Sequence, residues 1–143
     1  IGTGLVTGSQ SGTDILAAIE NITGSQAADH ISGNRFDNLI DGGHGNDVLG
    51  GGGGADTFVF RGAFGHDAVT DFTVSGKVHD TLELDHAMFS QFATAQQLLN
   101  SAQVTQVNHG QDVLIIADAN NPIVLENVSL AALKAHPGDV LLV

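Results

Sequence analysis

The sequence predicts a mainly β fold in which very short parallel strands wind into a roll, and three observations carry that prediction. From Gly24 to Val59 the chain repeats every nine residues without insertion: GSQAADHIS (24–32), GNRFDNLID (33–41), GGHGNDVLG (42–50) and GGGGADTFV (51–59). Glycine opens each copy, and an acid or its amide stands sixth: Asp29, Asn38, Asp47 and Asp56. A large apolar residue stands eighth: Ile31, Ile40, Leu49 and Phe58.

Nine residues are too few for a strand and a helix and too many for one strand, so each copy divides into a turn and a strand. The glycine-bearing first six positions form the turn, because glycine takes positive φ without penalty. In the last three, one apolar residue is flanked by residues pointing the other way, the alternation of a short strand. Two copies then complete one coil, with Ile31 and Leu49 stacked on one wall and Ile40 and Phe58 on the other. A flexible glycine-rich linker would not hold an apolar residue at one phase through all the copies.

One buried apolar side chain per copy stabilises by roughly 1.5–3 kcal/mol, against an ordering cost of about 1–2 kcal/mol per residue. Burial alone does not hold such a coil. Carbonyl oxygens on glycine-rich turns beside aspartates form an all-oxygen environment suited to a hard divalent cation, Ca²⁺. One ion is expected between the turns Gly24–Asp29 and Gly42–Asp47, with Gly43, His44 and Gly45 in the second of them. Another is expected between Gly33–Asn38 and Gly51–Asp56, with Gly52, Gly53 and Gly54. Asn38 removes one charge, so that site is expected to be the weaker. With no ion the stacked carboxylates repel, and binding free energy becomes folding free energy.

The 143 residues fit one compact module, and a hydrophobic content of 42% is enough for a core. A formal net charge of −12 with only four Lys and Arg argues against nucleic acid and against unaided binding to anionic lipid or a polyanionic sugar. Cysteine is absent, which rules out disulfides and thiolate metal sites. No run approaches transmembrane length, so no stable membrane insertion is expected. The chain begins at Ile1 rather than methionine and is expected to be a piece of a longer protein.

Three regions follow from this reading. Residues 1–23 are lead-in strands of the roll, with apolar pairs Leu5–Val6 and Ile15–Leu16 and with Ile22 at an eighth position; a helix over 14–20 competes. Residues 24–85 are the roll, regular over 24–59 and degenerate over 60–85. In the degenerate part Phe64-Gly65-His66-Asp67-Ala68-Val69 repeats the glycine–acid–apolar order after a two-residue slip, so Gly65 and Asp67 are placed with Asp47 around a further ion, and Asp71 as an additional ligand. Asp80 and Asp85 flank another short strand, and Asp71, Asp80 and Asp85 read at least equally well as solvated turn residues. Residues 86–143 form a β-rich cap with one or two short helices. Thr94-Ala95-Gln96-Gln97 has capping-box spacing, Asn108-His109-Gly110-Gln111 joins two strands, and Ser129 caps a helix over Leu130–Ala135.

Other chemistry finds little support. His44 and His66 fall on successive turns, but no histidine pair has zinc-enzyme spacing. There is no G-x-S-x-G elbow, and the Gly50–Gly54 run lacks the Lys-Ser/Thr of a phosphate loop. No catalytic residue is assigned, and the fragment is expected not to be an enzyme.

Residues 24–59 resemble the repeats-in-toxin (RTX) family, whose nonapeptide G-G-x-G-x-D-x-U-x the last two copies match. Ile19 to Ser25 is similar to the lead-in of such arrays. Asp56-Thr57-Phe58-Val59-Phe60, Phe64-Gly65-His66-Asp67, Asp71-Phe72 and Asp80-Thr81-Leu82-Glu83-Leu84 are similar to the segment that closes them. Ala27, Phe36 and Asn38 depart from the pattern in copies one and two. The resemblance implies a Ca²⁺-dependent parallel β-roll outside the cell, exported by a type I secretion machinery that reads an uncleaved C-terminal signal, here Asp139 to Val143. It also implies upstream domains of a parent protein as partners, and leaves a calcium-dependent polysaccharide-binding accessory module as the alternative.

Overall fold

The computed structural model describes residues 13–15 and 20–143. The apolar pair Leu5–Val6 and the competing helix beyond Ile15 lie outside the described residues. Eight short strands come first: β1 (Thr13–Ile15), β2 (Asn21–Thr23), β3 (His30–Ser32), β4 (Leu39–Asp41), β5 (Val48–Gly50), β6 (Thr57–Phe60), β7 (Asp67–Val69) and β8 (Thr81–Leu84). They alternate between two sheets, because each nonapeptide turn reverses the chain and two copies bring it back. In one sheet β1, β3, β5 and β7 are parallel neighbours, and in the other β2, β4, β6 and β8.

The register stacks the eighth positions as the period requires. Ile22, Ile40, Phe58 and Leu82 lie opposite one another along one wall, and Ile31, Leu49 and Val69 along the other. All are buried, in a core continuous with that of the C-terminal half. Flanking residues of each strand point outward, so Leu39 is exposed while Ile40 beside it has no accessible surface.

Residues after 85 extend both sheets. The hairpin β9 (Val104–Val107) and β10 (Asp112–Asp118) is antiparallel, joined through Asn108 and His109, both in the left-handed region. β11 (Asn121–Leu125) pairs antiparallel with β10 and parallel with β7, so the hairpin continues the roll. β12 (Val140–Leu142) adds to the other sheet, parallel with β8. Val140 thus extends the Ile22–Leu82 wall, and Leu125 the Ile31–Val69 wall. The last turns of the roll gain hydrogen-bonded neighbours instead of leaving bare edges.

Two short helices pack beside these strands. α1 (Ala95–Leu99) starts at Thr94, whose side chain accepts from the Gln97 amide, and Gln97 Oε1 in turn accepts from the Ala93 amide. The reciprocal half of the box therefore reaches one residue further upstream than the spacing implies. α2 (Leu130–Ala135) starts at Ser129 and is followed by a 3-10 turn over Pro137–Asp139. Gln106 joins β9, β10 and α2. Its Nε2 donates to the Asp112 and Val128 carbonyls at 2.9 Å each, and its Oε1 accepts from the Leu130 amide at 2.6 Å. Replacing Gln106 with alanine strands these groups, and the expected cost is about 1–3 kcal/mol in urea unfolding with calcium saturating.

Candidate metal centre

The turns stack in two rows, one at each side of the roll, and each row is stitched by its sixth-position side chains. On the first row the Asp29 amide donates to Asp47 Oδ1 at 2.9 Å and the Asp47 amide to Asp67 Oδ1 at 2.9 Å. On the second row the Asn38 amide donates to Asp56 Oδ1 at 2.8 Å and the Asp56 amide to Asp80 Oδ1 at 2.9 Å. Fifth-position side chains stitch in the opposite direction. Asp37 Oδ1 accepts from the Ala55 amide at 2.7 Å, and Asn46 Oδ1 from the His66 amide at 3.0 Å. Successive turns are therefore held in register from both sides.

This places Asp29, Asp47 and Asp67 on one row, with Gly24, Gly42, Gly43, His44, Gly45 and Gly65. Asn38 and Asp56 are on the other, with Gly33 and Gly51 to Gly54. Asp71 is a correction to the sequence reading. It does not join Asp47 and Asp67 but sits on the second row, where Oδ1 accepts from the Gly51 amide and Oδ2 from the Gly52 amide, both at 2.9 Å. Where the chain leaves β7 the Thr70 amide and hydroxyl both donate to the Leu49 carbonyl, so the residue after it lands on the neighbouring copy's turn.

Asp80 was not assigned from sequence, and the structure makes it the end of the second row. It is buried, and its Oδ2 also accepts from the Thr73 amide at 2.7 Å. Its signal was present: Asp80-Thr81-Leu82 repeats the sixth-to-eighth order of Asp56-Thr57-Phe58, at a spacing stretched by the intervening loop. Asp85, by contrast, accepts from the Ala87 amide in a local turn.

First-position glycines are required by the oxygens around them. A Cβ on Gly42 would collide with Asp47 Oδ2, and one on Gly51 with Asp56 Oδ2. On Gly24 it would meet the Gly42 carbonyl and Asp29 Oδ2, and on Gly33 the Gly51 carbonyl and Asn38 Oδ1. Main-chain and side-chain oxygens of successive turns are thus packed where no carbon fits. Gly53, in contrast, has room for a side chain. His44 is exposed, its Nδ1 against the Ala63 carbonyl.

The electrostatics of the rows are unbalanced. Asp47, Asp56, Asp67 and Asp80 are each at most 3% exposed. The ion pairs found among the described residues, Arg61–Glu83 and His79–Asp139, involve none of them. Burial pushes Asp47 up to about 6, helped by the charges of Asp29 and Asp41, although the Asp29 amide opposes it. Burial likewise pushes Asp56 up to about 6 and Asp67 up to about 7, and raises Asp80. Asp47 Oδ2 is buried with no hydrogen-bond partner. A buried carboxylate oxygen in that state costs several kcal/mol or takes up a proton, unless a cation meets it.

The donor set fits a hard cation. No three His, Cys, Asp or Glu side chains among the described residues converge on one point, so an ion between turns must draw on carbonyl oxygens as well as carboxylates. That is calcium's preference. No helix among the described residues is long and apolar enough to cross a membrane. No curated protein matches the chain. The family model of the RTX calcium-binding nonapeptide repeat matches residues 23–58 in four copies. Residues 23–58 are thus an array of RTX nonapeptide repeats wound as a β-roll, and repeats of this kind bind calcium.

Proposed function

We propose that this chain is the calcium-dependent folding module of a larger secreted protein, exported through a type I machinery and serving to fold and stabilise the parent outside the cell. The observation that carries the reading is the double row of buried carboxylates with Asp47 Oδ2 unpartnered. Such rows are intolerable when ionised and uncompensated, so order in the roll follows the calcium concentration. Carbonyl oxygens of the glycine-rich turns would hold calcium together with the side chains of Asp29, Asp47 and Asp67 on one row and of Asn38 and Asp56 on the other, and the ion would supply the positive charge these buried carboxylates lack. The module itself is non-catalytic.

The C-terminal segment supports the order of events, export first and folding afterwards. Val140 is in the core and β12 is a strand of the roll, so a machinery that reads this segment reads it before the roll forms. Low calcium inside the cell keeps the segment extended, and calcium outside draws it into the fold. With ion at about ten times its dissociation constant, each independent site contributes on the order of 1.4 kcal/mol.

Calcium titration followed by circular dichroism and calorimetry tests the reading. The expected result is a cooperative gain of β signal with ion uptake, shifted to higher calcium by Asp47→Ala and by Asp56→Ala. A chain equally ordered in excess chelator and in calcium at about pH 8 would overturn it.

A further inference from the structure

The four turns of the array are of two kinds. In the first two copies the second-position amide bonds within its own turn: Ser25 donates to Asp29 Oδ2 at 2.6 Å, and Asn34 to Asn38 Oδ1 at 2.8 Å. The Ser25 hydroxyl adds a second donor to Asp29 Oδ2 at 2.8 Å. In the last two copies the equivalent amide is taken by an acid from outside the turn. Gly43 donates to Asp41 Oδ1 at 3.0 Å, and Gly52 to Asp71 Oδ2 at 2.9 Å.

Backbone conformation separates the same two pairs. Positions two and four have positive φ in the last two copies, at Gly43 and Gly45 and at Gly52 and Gly54. Their counterparts Ser25, Ala27, Asn34 and Phe36 are not among the positive-φ residues. A positive φ at the second position turns its amide away from the sixth-position carboxylate, and Asp41 or Asp71 receives it. In the third copy the result is visible as the unpartnered Asp47 Oδ2.

We infer that Asp41 and Asp71 are positioning residues for calcium: by holding the amides of Gly43 and Gly52, they keep the Asp47 and Asp56 carboxylates free for the ion, whereas the Gly24–Asp29 and Gly33–Asn38 turns satisfy themselves. The array then consists of two turns that close on their own hydrogen bonds and two that demand a cation. Asp41 and Asp71 need not touch the ion to do this. The inference rests on the calcium reading above and assigns the demand for ion within it.

The test compares Asp41→Ala with Asp41→Asn in the full chain, by calorimetric titration with calcium chloride. Asparagine keeps the acceptor and loses the charge; alanine loses both. Asp41→Ala releases the Gly43 amide to Asp47 Oδ2, so the calcium midpoint is expected to rise on the order of tenfold, while Asp41→Asn stays within about threefold of the parent. In chelator at about pH 5, the β signal of the alanine variant is expected to equal or exceed the parent's, because Asp47 has gained a donor. Loss of a residue that merely supports the fold would also raise the midpoint but would weaken the signal in chelator. Equal midpoints for alanine and asparagine, or a weaker signal in chelator, would overturn the inference. Should Asp41→Ala not fold, Asp71→Ala repeats the test at Gly52, with the same rise in midpoint and the same unweakened signal in chelator expected; Asp71→Asn is no match for Asp41→Asn, because Asp71 accepts from two amides, Gly51 on Oδ1 and Gly52 on Oδ2. Absence of calcium uptake by the unsubstituted chain would instead remove the calcium reading itself.

Discussion

In excess chelator at about pH 8 the roll is expected to lose most of its β circular dichroism, and lowering the pH to about 5 without calcium is expected to restore part of it. The sign follows from the raised carboxyls. Asp47 and Asp56 titrate at about 6 and Asp67 at about 7 in the folded chain, against 3.8 for the free side chain, with burial the main cause. The folded state therefore holds protons that the unfolded state has released. Its stability from these groups is complete below the unfolded value and is lost as pH rises through 6 to 7. Calcium reverses the dependence, because the ion binds the ionised carboxylates and competes with their protons. Thermal unfolding in chelator and in calcium at both pH values checks this. A calcium-free chain more stable at pH 8 than at pH 5 would contradict the assignment of the rows.

Phe58→Ala is expected to cost about 3–5 kcal/mol in urea unfolding at saturating calcium. Phe58 has no accessible surface and stands between Ile40 and Leu82 on one wall, with the Phe72 ring centroid 6.1 Å from its own. The strands carrying these residues are three or four residues long, so neighbouring turns close poorly over a cavity. Because ion binding and folding are coupled, the same substitution raises the calcium needed for half-folding. Val78→Ala is the contrast: Val78 is 53% exposed, and the change is expected to stay within about 0.5 kcal/mol. Comparable losses for the two would mean that the inward wall is not what holds the roll.

Much of the fold was legible because the repeat is short and its phase unbroken. An apolar residue every nine positions leaves one geometry in which all of them face inward, and Ile31, Leu49, Ile40 and Phe58 take it. Local chemistry was equally readable at the Thr94 and Ser129 caps and in the hairpin at Asn108. Where the period slipped, reading by spacing failed in part. Asp67 kept its row, Asp71 was assigned to the wrong one, and Asp80 was left undecided although it is buried.

Alone, then, the sequence determined that acidic turns would stack in rows around an inward file of apolar side chains, since glycine, carboxylate and period are properties of adjacent residues. Only the tertiary structure decided which donor each carboxylate meets. Asp41 stands beside Gly42 in the chain and Asp71 stands 19 residues beyond Gly52, yet each withdraws one second-position amide from the turn it belongs to. It also decided that β11 and β12 lengthen the two sheets, one through β7 and the other through β8. Such pairings join residues far apart in the chain, and a nine-residue period says nothing about partners beyond its own array.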